Sequence, residues 1–271
     1  MKPLLQVCNL SLSFRGLKAV ADVSFDVLAG QIVGLIGPNG AGKSSLLNCL
    51  SRIYAPSSGA VAFEGVNLLS RPIHALAPLG IARTFQNLEL FAQATVMENA
   101  LAGAIHKHRS TVFADLLRLP HARRSRQAAI AQAQALVDEL GLAPFADAPV
   151  SGLAYGVQKT VELARALAGE PRLLLLDEPA AGMNPEESRQ LGKTILKLRQ
   201  DRGITVLMVE HDMRLVMGVC DSIVVLVQGR KLCEGVPSQI RTDPRVIEVY
   251  LGEDEQDEDA PATREELMEA V

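Results

Sequence analysis

Tryptophan is absent from this 271-residue chain, and aromatic residues make up only 4% of it. Aliphatic side chains and alanine must therefore fill its core, and a hydrophobic content of 48% allows a substantial one. Scarce aromatics also argue against a surface that stacks bases. Cys8, Cys49, Cys220 and Cys233 are widely scattered, with no C-x-x-C pair and no His at zinc-ligand spacing, which excludes a disulfide framework and a zinc module. They read as buried residues in a reducing compartment. No apolar run approaches the length that crosses a bilayer. Met1 to Asn9 holds neither an uninterrupted apolar segment nor a small-residue cleavage site, so no signal peptide is expected. A soluble, cytoplasmic protein follows as the expectation, with any membrane role supplied by a partner. Internal repeats and heptad-rich arms are missing too.

What the chain does have is a loop. Residues 37 to 44 read Gly37-Pro38-Asn39-Gly40-Ala41-Gly42-Lys43-Ser44, the G-x-x-x-x-G-K-[ST] spacing of a phosphate-binding turn, with Ser45 directly after it. Glycines let successive backbone N–H groups point inward at phosphate oxygens, Lys43 supplies a point charge to the β and γ phosphates, and the Ser44 hydroxyl can ligate Mg²⁺. The flanks agree. Gln31 to Ile36 is a short apolar run of strand type, and Leu46, Leu47 and Leu50 share one face of a helix, so a helix N-terminus is aimed at an anion.

Strands are expected over residues 4 to 36 and 59 to 64. Helices follow from a capping box at Thr95-Val-Met-Glu98 and over 123 to 140, so residues from about 88 to 168 form a helical insertion. Apolar runs at 173–176, 205–209 and 223–227, with helical stretches at 185–200 and 212–219 between them, predict an α/β fold with a parallel sheet covered on both faces. The first of these runs ends in Asp177-Glu178, two carboxylates delivered to a strand's C-terminal edge. Asp177 would hold Mg²⁺ and Glu178 would orient or deprotonate an attacking water.

These residues together resemble the ATP-binding subunit of ABC transporters, through about Gly252. The resemblance implies a phosphate-loop NTPase core with an N-terminal antiparallel β subdomain and an inserted helical subdomain, working on ATP with Mg²⁺. It gives Phe14 the place of an aromatic that stacks on adenine, against a core Phe as the alternative. Gln86, in Arg83-Thr-Phe-Gln86, matches a glutamine that reaches Mg²⁺ or water and links nucleotide state to the helical subdomain; an exposed loop glutamine is the plain alternative. His211 matches a histidine that contacts the γ phosphate, set against a structural one. The usual signature L-S-G-G-Q reads here Leu153-Ala154-Tyr155-Gly156-Val157. In the family this turn binds the γ phosphate held by a second ATPase subunit, and Ala154 lacks the usual hydroxyl. One neutral hydrogen bond lost there costs about 0.5–1.5 kcal/mol, while the helix N-terminus remains. Asn184 stands where an aspartate is more usual, in a loop that touches the other subunit.

The L-A-Y-G turn, residues 177–185, 210–218, 83–91 and 240–252 resemble one of the two ATPases of bacterial branched-chain amino acid importers. The implied protein energises two transmembrane permease subunits from the inner face of the membrane, beside a second ATPase or a homodimer partner, and serves an external solute-binding protein indirectly. An importer ATPase for urea or another small polar solute is the near alternative, and a soluble ATPase factor the distant one. The ATPase domain is expected over 1–252. Residues 253–271, with nine acids against Arg264, read as an acidic, disordered tail; without them the net charge of −4 becomes +4. The basic stretch from His106 to Arg126, with Lys107, Arg109, Arg118, Arg123 and Arg124, reads as a solvated face, with anionic lipid or a permease loop as the other possibility. No nucleic-acid partner is expected.

Overall fold

A computed structural model of the chain describes residues 2–105, 107 and 120–254, with side chains throughout except in 120–126 and 251–254. Two sheets organise it. The first is antiparallel and built from β1 (Leu5–Phe14), β2 (Leu17–Val27), β4 (Ser58–Phe63) and β5 (Val66–Asn67), in the order β2-β1-β4-β5. Arg15 and Gly16 both take positive φ, 47° and 94°, which makes the two-residue turn between Phe14 and Leu17 one that matches the twist of its strands.

The second sheet runs β10 (Arg230–Gly235), β9 (Ser222–Val227), β3 (Ile32–Ile36), β8 (Thr205–Val209), β7 (Leu173–Asp177), β6 (Ile81–Arg83), all parallel except the β10 edge. Every residue of β3, β7 and β8 is buried, as continuous apolar runs require when both faces are covered. Their alternation sorts the two faces. Val33, Leu35, Leu173, Leu175, Leu207 and Val209 pack towards the antiparallel sheet and α1 (Lys43–Leu50). Ile32, Ile36, Leu174, Leu176, Val206 and Met208 pack towards the helices of the opposite face. Each fully buried leucine in these runs contributes roughly 1.5–3 kcal/mol over exposure, with few aromatic side chains required.

α2 (Leu76–Leu79) precedes β6, and among the described residues between β6 and β7 come α3 (Val96–Gly103), α4 (Pro120–Glu139) and α5 (Tyr155–Ala168). α3 opens with the capping box read from the sequence, Glu98 N–H donating to Thr95 Oγ1 at 3.1 Å and Thr95 N–H to Glu98 Oε2 at 2.8 Å. Val96, Ala100, Ala133, Val137, Val161 and Ala164 form a small core of their own, where alanines let the helices approach closely. α5 serves two cores, with Val161 and Ala164 in this one and Leu163 and Leu167 in the large one. The remaining α-helices among the described residues are α6 (Pro185–Arg202), α7 (Met213–Val219), α8 (Pro237–Thr242) and α9 (Pro244–Asp254).

α9 thus runs two residues into the stretch expected as tail, and 255–271 lie outside the described residues. So do most of 106–126, although Lys107 pairs with Glu170. The cysteines are free as expected. Only Cys49 and Cys220 are buried, however; Cys8, next to buried Val7 on the central strand β1 but turned to the sheet's other face, and Cys233, on the β10 edge, are half-buried. Burial pushes the thiols of Cys49 and Cys220 up to about 11 and about 12, which makes them inert. Among the described residues no helix is long and apolar enough to cross a membrane.

Candidate functional site

Four neighbouring strands end at one edge of the parallel sheet, and each delivers one piece of the site. The pairing aligns Leu35 with Val209 and Val209 with Asp177, while Arg83 aligns with Leu175. The phosphate loop after β3, Glu210-His211 after β8, Asp177-Glu178 at β7 and the Gln86 segment after β6 are thereby brought together from across the sequence.

The loop is shaped by contacts that leave no room for side chains. A Cβ on Gly37, whose φ is 145°, would lie 2.0 Å from the Leu226 carbonyl oxygen, and one on Gly42, at φ 95°, would lie 2.2 Å from that of Ala19. Gly42 then opens α1, whose first turn carries Lys43, Ser44 and Ser45. Ala41, Lys43 and Gly37 are buried, Pro38 is half-buried, and Asn39, Gly40 and Ser44 face outward. Lys43 Nζ donates to the carbonyls of Gly37 at 2.5 Å and Pro38 at 2.9 Å, so the lysine crosses the inside of the turn.

Asp177 is almost completely buried and ion-paired with Arg83, Nη2 to Oδ2 at 2.6 Å. The guanidinium also donates to Asn48 Oδ1 at 2.7 Å and to Ser51 Oγ, both on or next to α1, and stacks over Phe85 at 4.8 Å. Asp177 Oδ1 is buried without a hydrogen-bond partner. A buried, orphaned carboxylate oxygen beside a phosphate loop fits a hard cation held by one carboxylate and phosphates. Among the described residues no three His, Cys, Asp or Glu side chains gather to hold a metal unaided.

Glu178 takes φ 47°, a left-handed conformation that few side chains adopt, and its N–H donates to the Val209 carbonyl at 2.9 Å. Gln86 Nε2 donates to Glu178 Oε2 at 2.8 Å. His211 is exposed on the adjacent strand end. Its backbone is fixed by Glu210, a residue that sequence reading passed over. Glu210 is 1% exposed; Oε1 accepts from Ala180 N–H at 2.7 Å, and Oε2 accepts from His211 N–H at 2.9 Å and Asp212 N–H at 3.2 Å. Burial raises its carboxyl pKa, against the opposing pull of those three N–H groups.

Two expected site elements come from outside the parallel sheet. Phe14 ends β1 in the antiparallel sheet, partly exposed, with its ring edge-on to Tyr54 at 5.2 Å. Ala154 is the residue before α5, with no side-chain cap, and Gln158 Nε2 holds the Leu153 carbonyl at 2.7 Å instead. Gly156 and Tyr155 lie against the loop that follows Glu178: a Cβ on Gly156 would approach Glu187 Oε1 to 2.9 Å, and one on Gly182 would approach the Tyr155 ring to 3.0 Å. In that loop Asn184 caps α6, its Oδ1 accepting from Glu186 and Glu187 N–H at 3.0 Å each, with Glu187 closing the box.

A glycine-shaped phosphate turn at a helix N-terminus, with a buried aspartate and a glutamate at the next-but-one strand end, defines a nucleotide-binding α/β protein of the phosphate-loop class. Comparison with known proteins carries this further. Residues 20–181 match the family model described as ABC transporter, and residues 230–256 match one described as branched-chain amino acid ATP-binding cassette transporter. The chain is 46% identical over 253 residues to the high-affinity branched-chain amino acid transport ATP-binding protein BraF of Pseudomonas aeruginosa, covering 93% of this chain and 99% of that one. It is 42% identical over 252 residues to LivG of Escherichia coli K12, a protein of the same description, again covering 93% and 99%. Among solved structures, the ADP conformation of MJ1267, an ATP-binding cassette of an ABC transporter, superposes with a TM-score of 0.81 at 30% identity, over 93% of this chain and all of that one. The chain belongs to the ABC transporter family as an ATP-binding cassette, an ATPase with the fold expected from its sequence.

Proposed function

We propose that this chain is the ATP-hydrolysing subunit of an importer for branched-chain amino acids. The observation that carries the reading is the convergence of the phosphate loop, Asp177, Glu178 and Gln86 at one sheet edge. The solute class is supported by the names of the relatives and by the match of residues 230–256.

In this reading Phe14 stacks on adenine and the edge of Tyr54 fixes the ring. Backbone N–H groups of Gly37 to Ser45, around Pro38, surround the phosphates, and Lys43 exchanges its carbonyl partners for the β and γ oxygens. Ser44, Asp177 and Gln86 would hold Mg²⁺, which would supply positive charge to offset that of the phosphates. Glu178 aligns a water behind the γ phosphorus and takes its proton as the bond to the β-bridging oxygen breaks, while His211 contacts the γ oxygens. Ala154, Tyr155 and Gly156 present the N-terminus of α5 to ATP held by a second ATPase subunit, either a different chain or a copy of this one. ATP closes that pair and hydrolysis reopens it.

Two transmembrane permease subunits are the proposed partners, with the external solute-binding protein engaged only through them. A groove beside Phe85 exposes Ile53, Ile73, Phe91 and Ile105, an apolar surface fitting a cytoplasmic permease helix next to the segment that carries Gln86. The protein then works in the cytoplasm, peripheral on the inner face of the membrane.

A tagged Glu178→Gln variant, gently extracted from native membranes, is expected to bring down two polytopic proteins and an ATPase partner. Recovery of ribosomal or DNA-associated proteins alone overturns the transport reading. Removal of the chain is expected to abolish uptake of labelled leucine; lost urea uptake with leucine uptake intact overturns the solute.

A further inference from the structure

Two oppositely charged side chains on α5 lie almost wholly out of water. Lys159 is 5% exposed and Glu162 2%. Their charged atoms stand 3.6 Å apart, an ion pair too long for a good hydrogen bond, and both side chains make their hydrogen bonds elsewhere. What they bind is the backbone that carries Gln86. Glu162 Oε1 accepts from Phe85 N–H at 3.0 Å, and Lys159 Nζ donates to the carbonyls of Phe85 at 3.3 Å and Gln86 at 3.0 Å. Lys159 Nζ also sits 5.9 Å from the ring centre of Tyr155, the first residue of α5. Beyond Gln86 the chain of contacts continues through its side chain to Glu178.

Stability alone does not call for ions at these two positions, since apolar residues of similar volume commonly serve as well or better. A charged pair does give a loop something that an apolar pair cannot: fixed partners for its N–H and C=O groups. We propose that Lys159 and Glu162 are positioning residues that make the Gln86 segment move as one body with the first turn of α5. Whatever engages Ala154–Gly156 then sets how Gln86 stands against Glu178. This rests on the roles proposed above for Gln86 and for the signature turn, and adds the physical link between them. Occupancy of the composite site that α5 serves is thereby carried to the nucleotide bound by the same chain.

The test uses the full-length chain in the complex recovered from membranes. Lys159→Met and Glu162→Leu are introduced together, so that neither charge is left buried alone, and Gln86→Ala serves as reference. The double variant is expected to melt like the unaltered chain while protection of the Phe85 amide from hydrogen exchange falls about 10-fold or more. Its kcat is expected to fall about 10-fold, towards that of Gln86→Ala, with little change in KM for ATP. Wild-type kcat together with wild-type exchange overturns the proposal. Unchanged hydrolysis in Gln86→Ala strikes the role of Gln86 instead, and the exchange result still decides the link. If the double variant does not fold, the exchange of Phe85 and of residues 155–158 is followed as ATP is added to Glu178→Gln. Changes in step support one moving body, and independent changes overturn it.

Discussion

The side-chain amide of Gln86 reaches Glu178 Oε2 at 2.8 Å, joining two residues that are 92 apart in the chain and leave adjacent strands. Glu178 is anchored to the sheet through its own N–H, but its carboxylate is held by a loop. The geometry of the proposed base therefore depends on where that loop stands.

Replacing Glu178 by Gln keeps its shape and an oxygen that can accept from Gln86. ATP binding is expected to persist while steady-state turnover drops about 10²- to 10⁴-fold, the usual worth of a general base. Parallel nucleotide-binding and phosphate-release measurements check this, and unchanged turnover removes Glu178 from its role.

Glu178→Gly relieves the left-handed backbone at φ 47°. Denaturant titration is expected to show a gain of about 1 kcal/mol, alongside the same loss of turnover as Glu178→Gln. A site residue whose removal stabilises the fold is one held in place against local preference.

Arg83→Met leaves Asp177 buried without its cation. Breaking a buried pair from one side costs about 3–5 kcal/mol, so the variant is expected to unfold at clearly lower urea, with Arg83→Lys in between. Equal midpoints for all three chains show that the pair contributes nothing to stability.

Burial raises the Glu210 carboxyl above its ordinary 4.5. From 4.5 up to the raised value the folded state binds more protons at this residue than the unfolded state, so its contribution to stability falls as pH rises through that window. Glu210→Gln lacks this term. Unfolding free energies measured at several pH values are therefore expected to fall less steeply in the variant over that range.

Much of the site was legible because its parts are short and contiguous: the loop from Gly37 to Ser45, and the carboxylates that end the run of leucines at 173–176. The parallel sheet followed from runs too apolar to face water on either side. The charged supports escaped because their partners are remote in sequence, Lys159 and Glu162 lying 73 to 77 residues from the backbone they hold. The only local hint was a Lys and a Glu three apart among Val161, Leu163 and Ala164, where a solvated face would be polar throughout. Asn184 shows the opposite case. Its type was weighed for charge across a subunit contact, whereas Asn184-Pro-Glu-Glu187 is a capping box, readable by the same rule that located Thr95 and Glu98.

The ion pair between Arg83 and Asp177 bears on the order of events at the site. An aspartate whose charge is already balanced offers a free divalent ion little attraction, since the ion must compete with a cation fixed in the protein. A nucleotide that arrives with its metal brings enough negative charge of its own to tip that contest. The resting chain should thus be nearly indifferent to magnesium, and the metal–nucleotide pair, taken as a unit, is the ligand it is built to admit.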